Sequence, residues 1–328
     1  MNEPVVSDFP TRLVPLSEND IRSGWQCCDG KPLVSICCAT YNHAPWIEDA
    51  ICGFLAQRTD FPFEIIIRDD ASTDGTTDIV RDYAARYPQL IRHVLNSTNR
   101  FANGERPSQA WPSLVCGKYM ALCEGDDFWL VNNKLQKQID ILENSEFASM
   151  SVALTHNYIQ NDNATIYHST TDNDASEVIQ IAEPNGYYHT STFVIRTDCY
   201  NDVINRYYKK VKIFEDSTLR SLLITYGPFL LLPEVVSVYR ITGKGVYSSK
   251  DLTAQLKWGY VVSKNLYKIL KGKYRRTHLD SMYVIAKKIS VKRFRDGDLF
   301  LSLWWGLNAL WHGIAKIPSY IHKRQNVL

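Results

Sequence analysis

The sequence predicts an α/β fold with a mostly parallel sheet flanked by helices and a helical C-terminal extension. Short β-rich runs alternate with amphipathic helical periods from Leu33 to Leu142. The early strand-like runs are apolar throughout instead of alternating, as expected of strands covered on both faces. From Leu252 onward the chain reads as helices dense in Lys and Arg. Regular alternation of strand and helix marks βαβ units and hence a parallel sheet.

The elements follow in order. Leu33–Ala39 is the first buried strand, ending in Thr40-Tyr41-Asn42-His43; Ile47, Ala50, Ile51, Phe54 and Leu55 then repeat at helical spacing. Phe63–Ile67 is a second buried strand that breaks into Arg68-Asp69-Asp70-Ala71-Ser72-Thr73-Asp74-Gly75. The next helix carries Ile79, Val80, Tyr83, Ala84 and Tyr87 on one face and is stopped by Pro88. Ile91–Leu95 is a third strand; a polar loop and a short helix lead to a fourth, Tyr119–Cys123, which runs into Glu124-Gly125-Asp126-Asp127-Phe128-Trp129. Asn161–Glu177 is a polar loop or hairpin connection, Thr192–Ile195 a strand, Ser217–Tyr226 a helix, and Phe229–Leu232 and Val235–Tyr239 two further strands. We divide the chain into an N-terminal extension (1–30), a domain at 31–248 with halves 31–130 and 131–248, and a helical region at 249–328.

Composition narrows the class. The 45% apolar and 22% charged residues of the 328 fit a globular chain and argue against disorder or a polytopic membrane protein. Met1–Gly30 is acidic and polar, without a basic start followed by an apolar run, so cytoplasmic residence is expected. Several of the eight cysteines fall in apolar runs, and the vicinal pairs Cys27-Cys28 and Cys37-Cys38 lack zinc-site spacing, so reduced thiols are expected. Basic residues concentrate in the C-terminal helices and no nucleic-acid module is present, so no nucleic-acid partner is expected.

In open parallel sheets, ligands sit beyond the carboxyl ends of the strands. Asp69-Asp70 after the second strand and Glu124, Asp126 and Asp127 after the fourth therefore fall on the expected ligand edge. Such carboxylates suit Mg²⁺ or Mn²⁺, which takes one or two protein oxygens and completes its shell with phosphate and water. The same residue types also make ordinary turns and helix caps; it is the pairing of two acidic edges that points to a site.

Taken jointly, Val34-Ser35-Ile36 through Thr40-Tyr41-Asn42, then Asp69–Thr76, then Glu124-Gly125-Asp126-Asp127-Phe128-Trp129 resemble the N-terminal half of family-2 glycosyltransferases of the bacterial polysaccharide and O-antigen type. The resemblance implies a GT-A fold and metal-dependent, inverting transfer from a nucleotide-diphosphate sugar to a glycan or lipid-linked glycan. It implies nucleoside contacts from Thr40, Tyr41 and Asp70, with Asn42 beside them and Asp69 supporting the pocket. Glu124-Gly125-Asp126-Asp127 would be the family's metal motif, Glu124 replacing the usual first Asp, with Asp126 and Asp127 near the ion. Phe214-Glu215-Asp216-Ser217 resembles the family's Glu-Asp motif, which makes Asp216, with Glu215 beside it, the expected catalytic base. His189-Thr190-Ser191-Thr192 resembles a segment lining the sugar pocket. Tyr239-Arg240 through Gly243-Lys244-Gly245 resembles a lid, with Arg240 and Lys244 as diphosphate ligands.

Two rival classes remain beside this reading. A nucleotidyltransferase, like a dinucleotide-binding oxidoreductase, needs glycines after the first strand, where Thr40-Tyr41-Asn42-His43-Ala44-Pro45 has none. A non-catalytic nucleotide-sugar-binding subunit would not need so complete an acidic set. Leu299–Ile317 is apolar and followed by His322, Lys323 and Arg324, but Asn308, His312 and Lys316 interrupt it. It is either an interfacial helix giving peripheral contact with the cytoplasmic membrane face or a helix packed on its neighbours.

Overall fold

The computed structural model describes residues 11–26, 30–161, 164–169, 180–181, 188–211, 213–243 and 250–314. The described residues of Met1–Tyr208 and Leu223–Thr242 form one compact unit, and those of Lys209–Leu222 and Gly243–Leu328 a second.

The first unit opens with α1 (Glu18–Ser23), capped by the Ser17 hydroxyl accepting from the Asp20 amide. It continues through β1 (Val34–Thr40), α2 (Ile47–Leu55), β2 (Phe63–Asp69), α3 (Thr76–Arg86), β3 (Ile91–Leu95), α4 (Pro107–Leu114) and β4 (Tyr119–Leu122). These match the expected strands and helices to within a residue or two at most ends. Then come β5 (Phe128–Trp129), α5 (Lys134–Glu143), β6 (Met150–Asn161), β7 (Ala164–Ser169), β8 (Gln180–Ile181), β9 (Val194–Arg196) and α6 (Thr197–Tyr207). Beyond α7 (Asp216–Leu223), β10 (Phe229–Ile241) completes the sheet.

The strand order is β3-β2-β1-β4-β9-β6-β10-β5, with β7 on β6 and β8 on β10. From β3 to β4 every pairing is parallel. Beyond β4 the sheet is mixed: β9 runs antiparallel to β4 and β6, β10 parallel to β6, and β5 antiparallel to β10. The expected parallel pairing is thus unbroken in the first half and interleaved with antiparallel strands in the second. The connection expected at Asn161–Glu177 begins as an antiparallel hairpin of β6 and β7. Phe229–Leu232 and Val235–Tyr239, read as two strands, are one. Proline lacks the amide that a ladder requires, and at Pro233-Glu234 the register with β6 shifts without ending the strand.

The core explains the apolar runs. Ile36 and Cys38 of β1, Ile65 and Ile67 of β2, and Ile47, Ile51, Phe54 and Leu55 of α2 are buried in one cluster with Trp129 and Leu135. Burying a single side chain of this size contributes about 1.5–3 kcal/mol. Covered on both faces, the strands leave only their ends and following loops to meet a ligand.

The second unit holds α8 (Leu252–Ile269), α9 (Gly272–Arg295) and α10 (Leu299–Ile314). Tyr260, Leu279, Met282, Ala286, Ile289, Trp305 and Ala309 form its core. The Tyr260 hydroxyl meets His312 Nε2 at 2.8 Å. Among the described residues no helix is long and apolar enough to cross a membrane.

Candidate active site

β1 lies between β2 and β4, so the loops that leave these strands flank its end at Thr40. Hydrogen bonds lace the first two loops together. The Asn42 amide donates to Ser72 Oγ at 2.8 Å, His43 N–H to Thr76 Oγ1 at 2.8 Å and Ala44 N–H to Asp74 Oδ2 at 3.0 Å. In return Asn42 Oδ1 accepts from the Thr73 amide at 2.8 Å. Asn42 sits at φ 54°, in the left-handed region that asparagine tolerates better than most residues. Tyr41 is 43% exposed beside these locked residues and offers a ring face to solvent.

The carboxylates of Asp69 and Asp70 are spent on this framework. Asp69 accepts from the Ser72 amide at 3.3 Å and from the Ser72 and Thr77 hydroxyls, fixing the turn into α3. Asp70 accepts from Asn96 Nδ2 at 2.7 Å and from the amides of Arg100 at 3.1 Å and Phe101 at 2.9 Å. Buried Arg68 lies 3.7 Å from it. Burial alone pushes the Asp70 carboxyl up, but these hydrogen bonds and Arg68 outweigh it and hold it below the usual carboxylate range.

The turn after β4 is built differently. Gly125 N–H donates to Ala39 O at 2.9 Å, and a Cβ at Gly125 would stand 2.6 Å from Thr40 Oγ1 and 2.8 Å from Ile47 Cδ1. Only glycine lets the turn press against Thr40, whose buried hydroxyl has no hydrogen-bond partner among the described residues. Asp126 keeps a carboxylate 21% exposed, 3.7 Å from His43 Nε2. Asp127 is 2% exposed; its Oδ1 accepts from the Arg240 amide at 2.8 Å and its Oδ2 lies 3.6 Å from His189 Nδ1. Burial, then the charges of Asp126 and Glu124, push the Asp127 carboxyl well up, opposed by Arg240. Burial likewise lowers His189 to about 3. Both groups are thus driven toward their neutral forms, and their approach is not an ion pair.

His189 caps the short 3₁₀ turn Thr190–Thr192 and stacks on Tyr239 with ring centroids 3.9 Å apart. Its Nδ1 meets Ser191 Oγ at 2.9 Å, from which buried hydroxyls continue to Ser237 at 2.9 Å and Thr155 at 3.0 Å. Thr190 is 3% exposed. Arg240 is not in a lid: it is a residue of β10, 4% exposed, donating to Asp126 O at 2.9 Å and Asp49 Oδ2 at 2.8 Å. A strand pairing fixes its backbone, and its guanidinium props the turn from behind. Lys244 lies outside the described residues.

In the second unit, Glu215 is held by the Trp258 indole N–H and by Ser217 Oγ at 2.8 Å. Asp216 begins α7 and is exposed. Sequence reasoning did not single out His43, Asp49 or the Ser191–Ser237–Thr155 hydroxyls. His43 carried a usable signal, standing three residues past a buried strand on the ligand edge. The partner of Asp49 is 191 residues away, and no local pattern reports such a pairing.

No group of three His, Cys, Asp or Glu among the described residues is arranged to hold a metal ion. The accessible Asp126 carboxylate still fits a hard divalent cation, which keeps several waters and takes its remaining oxygens from phosphate.

Fold and site together define a class: an α/β domain whose parallel strands end in laced, acid-rich loops at one edge of the sheet. The sequence profile described as Glycosyl transferase family 2 matches residues 35–204, just over half of the 328, and the protein belongs to this family. It is 48% identical over 110 residues to an uncharacterized protein of Mycobacterium tuberculosis, a match covering 34% of this chain and 31% of that one. It is 36% identical over 112 residues to the putative teichuronic acid biosynthesis glycosyltransferase TuaG of Bacillus subtilis, covering 34% of this chain and 42% of the relative. Each of these two likenesses thus spans less than half of the curated relative. Among solved structures, residues 1–349 of TarS from S. aureus superpose with a TM-score of 0.58 at 17% identity, covering 88% of this chain and 82% of that one. The mannosyltransferase PcManGT of Pyrobaculum calidifontis, in complex with GDP-Man and Mn²⁺, gives 0.51 at 15% identity, covering 90% and 86%. At such identities the likeness is one of fold, and the fold is the GT-A type that the sequence led us to expect.

Proposed function

We propose that this chain is an inverting glycosyltransferase that moves a sugar from a nucleotide-diphosphate donor, a UDP-sugar, to a hydroxyl of a glycan or lipid-linked glycan. The setting we propose is bacterial surface-polysaccharide assembly at the cytoplasmic face of the membrane. The observation that carries the reading is the convergence on Thr40 of two acid-rich loops, one rigidly laced and one presenting the accessible carboxylate of Asp126. The name of TuaG, and the solved complexes of TarS 1–349 with UDP-GlcNAc and of PcManGT with GDP-Man and Mn²⁺, support the substrate class.

In this reading the exposed Tyr41 ring stacks on the base, while Thr40, Asn42, Asp69 and Asp70 form the pocket that seats the nucleoside. Asp126 is the principal ligand of Mn²⁺ or Mg²⁺, because Asp127 is buried with one oxygen already taken by the Arg240 amide. The bound cation supplies charge neutralisation to the departing diphosphate. Asp127 and Arg240 position the turn, and neutral His189 with Thr190 lines the sugar pocket. Asp216 takes the proton of the acceptor hydroxyl as that oxygen attacks the anomeric carbon, and Glu215, held by Trp258, orients it. A single displacement of this kind inverts the anomeric centre.

The test begins with thermal stabilisation by a panel of nucleoside diphosphates and nucleotide sugars in the presence of Mn²⁺. The donor that stabilises most is then offered with acceptors. Asp216→Asn is expected to bind that donor as tightly as the parent protein and to lose transfer by about 10²-fold or more. Full turnover in Asp216→Asn removes the base assignment. A panel in which no nucleoside diphosphate stabilises the protein removes the function.

A further inference from the structure

The second unit carries an apolar surface that the transfer chemistry does not use. Phe300, Leu303, Trp304, Leu307, Leu310 and Trp311 of α10 are each between 50% and 78% exposed. Their spacing of three and four residues places them in one stripe along the helix. Trp305 and Ala309, on the opposite side, are buried in the core of the unit, so the helix is already packed and the stripe faces outward. Six such side chains present on the order of 700 Å² of apolar surface, more than a monomer in water commonly exposes in one patch. α10 contains no Asp, Glu, Lys or Arg.

Charge identifies what covers the stripe. Residues 243–328 contain 17 Lys and Arg against 4 Asp and Glu, a net of +13, whereas the whole chain, with 37 against 35, is only +2. Residues 1–242 are therefore net −11, and the imbalance is local to the helical region. Lys287, Lys288 and Arg295 are exposed on α9, the helix against which α10 packs, and Lys316, Lys323 and Arg324 follow α10 in the sequence. An apolar stripe bearing two exposed tryptophans within a strongly basic unit matches the boundary between anionic headgroups and acyl chains. A second copy fits worse, since pairing two such helical regions would bring +13 against +13.

We infer that the outward face of α10 docks in the interfacial layer of an anionic lipid bilayer, lying in its plane. The 16 described residues of α10 are about 24 Å long at 1.5 Å per residue, less than the thickness of the hydrocarbon core. The inference is independent of the proposed sugar transfer, because it needs neither donor nor acceptor, and its test uses none.

The experiment is flotation of the full chain with vesicles of phosphatidylcholine alone or with about 30% phosphatidylglycerol, at about 0.1 M and about 0.5 M salt. The chain is expected to float with the anionic vesicles and to be released in part by salt. Leu303→Glu/Trp311→Glu should lower partitioning by about tenfold or more, and Lys287→Glu/Lys288→Glu by a few-fold, with unchanged melting curves. Should the first pair alter folding, Leu303→Gln/Trp311→Gln serves in its place. Failure of the parent chain to float with anionic vesicles overturns the inference, as does equal flotation of the folded Leu303→Glu/Trp311→Glu variant. A dimer in light scattering that the same substitutions convert to monomer overturns it too, by making this face a contact between copies.

Discussion

Asp69-Asp70 and Glu124–Asp127 occupy comparable places, at or just past the end of a parallel strand that pairs with β1, one on either side. They use the same residue types to opposite ends. In the first turn the carboxylates accept from Ser72, Thr77, Asn96 and two backbone amides, with Arg68 close to Asp70. In the second, Asp126 stays partly exposed, while Asp127 sits in burial that disfavours its charge. A carboxylate given hydrogen-bond donors stabilises the fold. Buried Asp127, with a single backbone donor, carries a local cost, and partly exposed Asp126 is available for a ligand. Acidic residues at a strand end therefore do not all report on chemistry, and which ones do is decided by what surrounds their oxygens.

The contrast predicts which substitutions damage what. Asp126→Asn, at a partly exposed position, should leave urea-unfolding free energy within about 0.5 kcal/mol of the parent protein. It should lower metal-dependent transfer, or donor hydrolysis, by about 10²–10³-fold. A folded variant with parent-like turnover across a metal titration would show that the second turn is as structural as the first.

Asp70→Asn should do the reverse, because an amide nitrogen in place of one carboxylate oxygen faces donors and leaves Arg68 buried without its partner. The expected cost is about 3 kcal/mol at pH 7. Its pH dependence is fixed in sign. The folded carboxyl titrates below its ordinary value of 3.8, so its stabilisation is complete above that value and fades as pH falls through the lowered one. Parent and variant should thus differ most near neutrality and converge as pH falls below 3.8 and through the lowered folded value. A constant gap across that range would mean that the loss is steric.

Much of this was legible in the sequence. The buried strands and the order of the two turns were readable because apolar runs and breaker residues are local signals. The single strand β10 was not, since Pro233 ordinarily ends a strand and only pairing on both sides of the irregularity carries the chain through. The resemblance of Tyr239–Gly245 to a lid puts Arg240 in a loop, whereas it belongs to β10. Its true neighbours, Asp49, Asp126 and Asp127, lie 113 to 191 residues away in the chain. The division between spent and available carboxylates was equally invisible, because it depends on hydrogen-bond partners supplied by other loops.

The buried cations sharpen the comparison with the smallest effect. Arg68 stands beside Asp70, 3.7 Å away. Lys134, at the start of α5 just past the second turn, is fully buried yet has no hydrogen-bond partner among the described residues; its Nζ lies 4.3 Å from the Trp129 ring centroid. Burial lowers it from 10.5 to about 7, so near neutrality its charge is only partly kept, and the ring contact is weaker than a full cation–π pair. For a base whose folded value is depressed, the unfolded chain holds the extra proton between about pH 7 and about pH 10, so stability rises with pH across that window. Lys134→Met keeps the alkyl packing and removes the titration. It should stabilise the protein by about 1–2 kcal/mol at pH 7, less than the full shift implies because the interior relaxes around a buried charge. The gain should shrink at about pH 9 in guanidinium unfolding, where the parent lysine is neutral in the folded state and its desolvation cost is smaller. Destabilisation by Lys134→Met at both pH values would instead mean that the ammonium is held charged, and the second turn would then have a buried counter-ion as the first does.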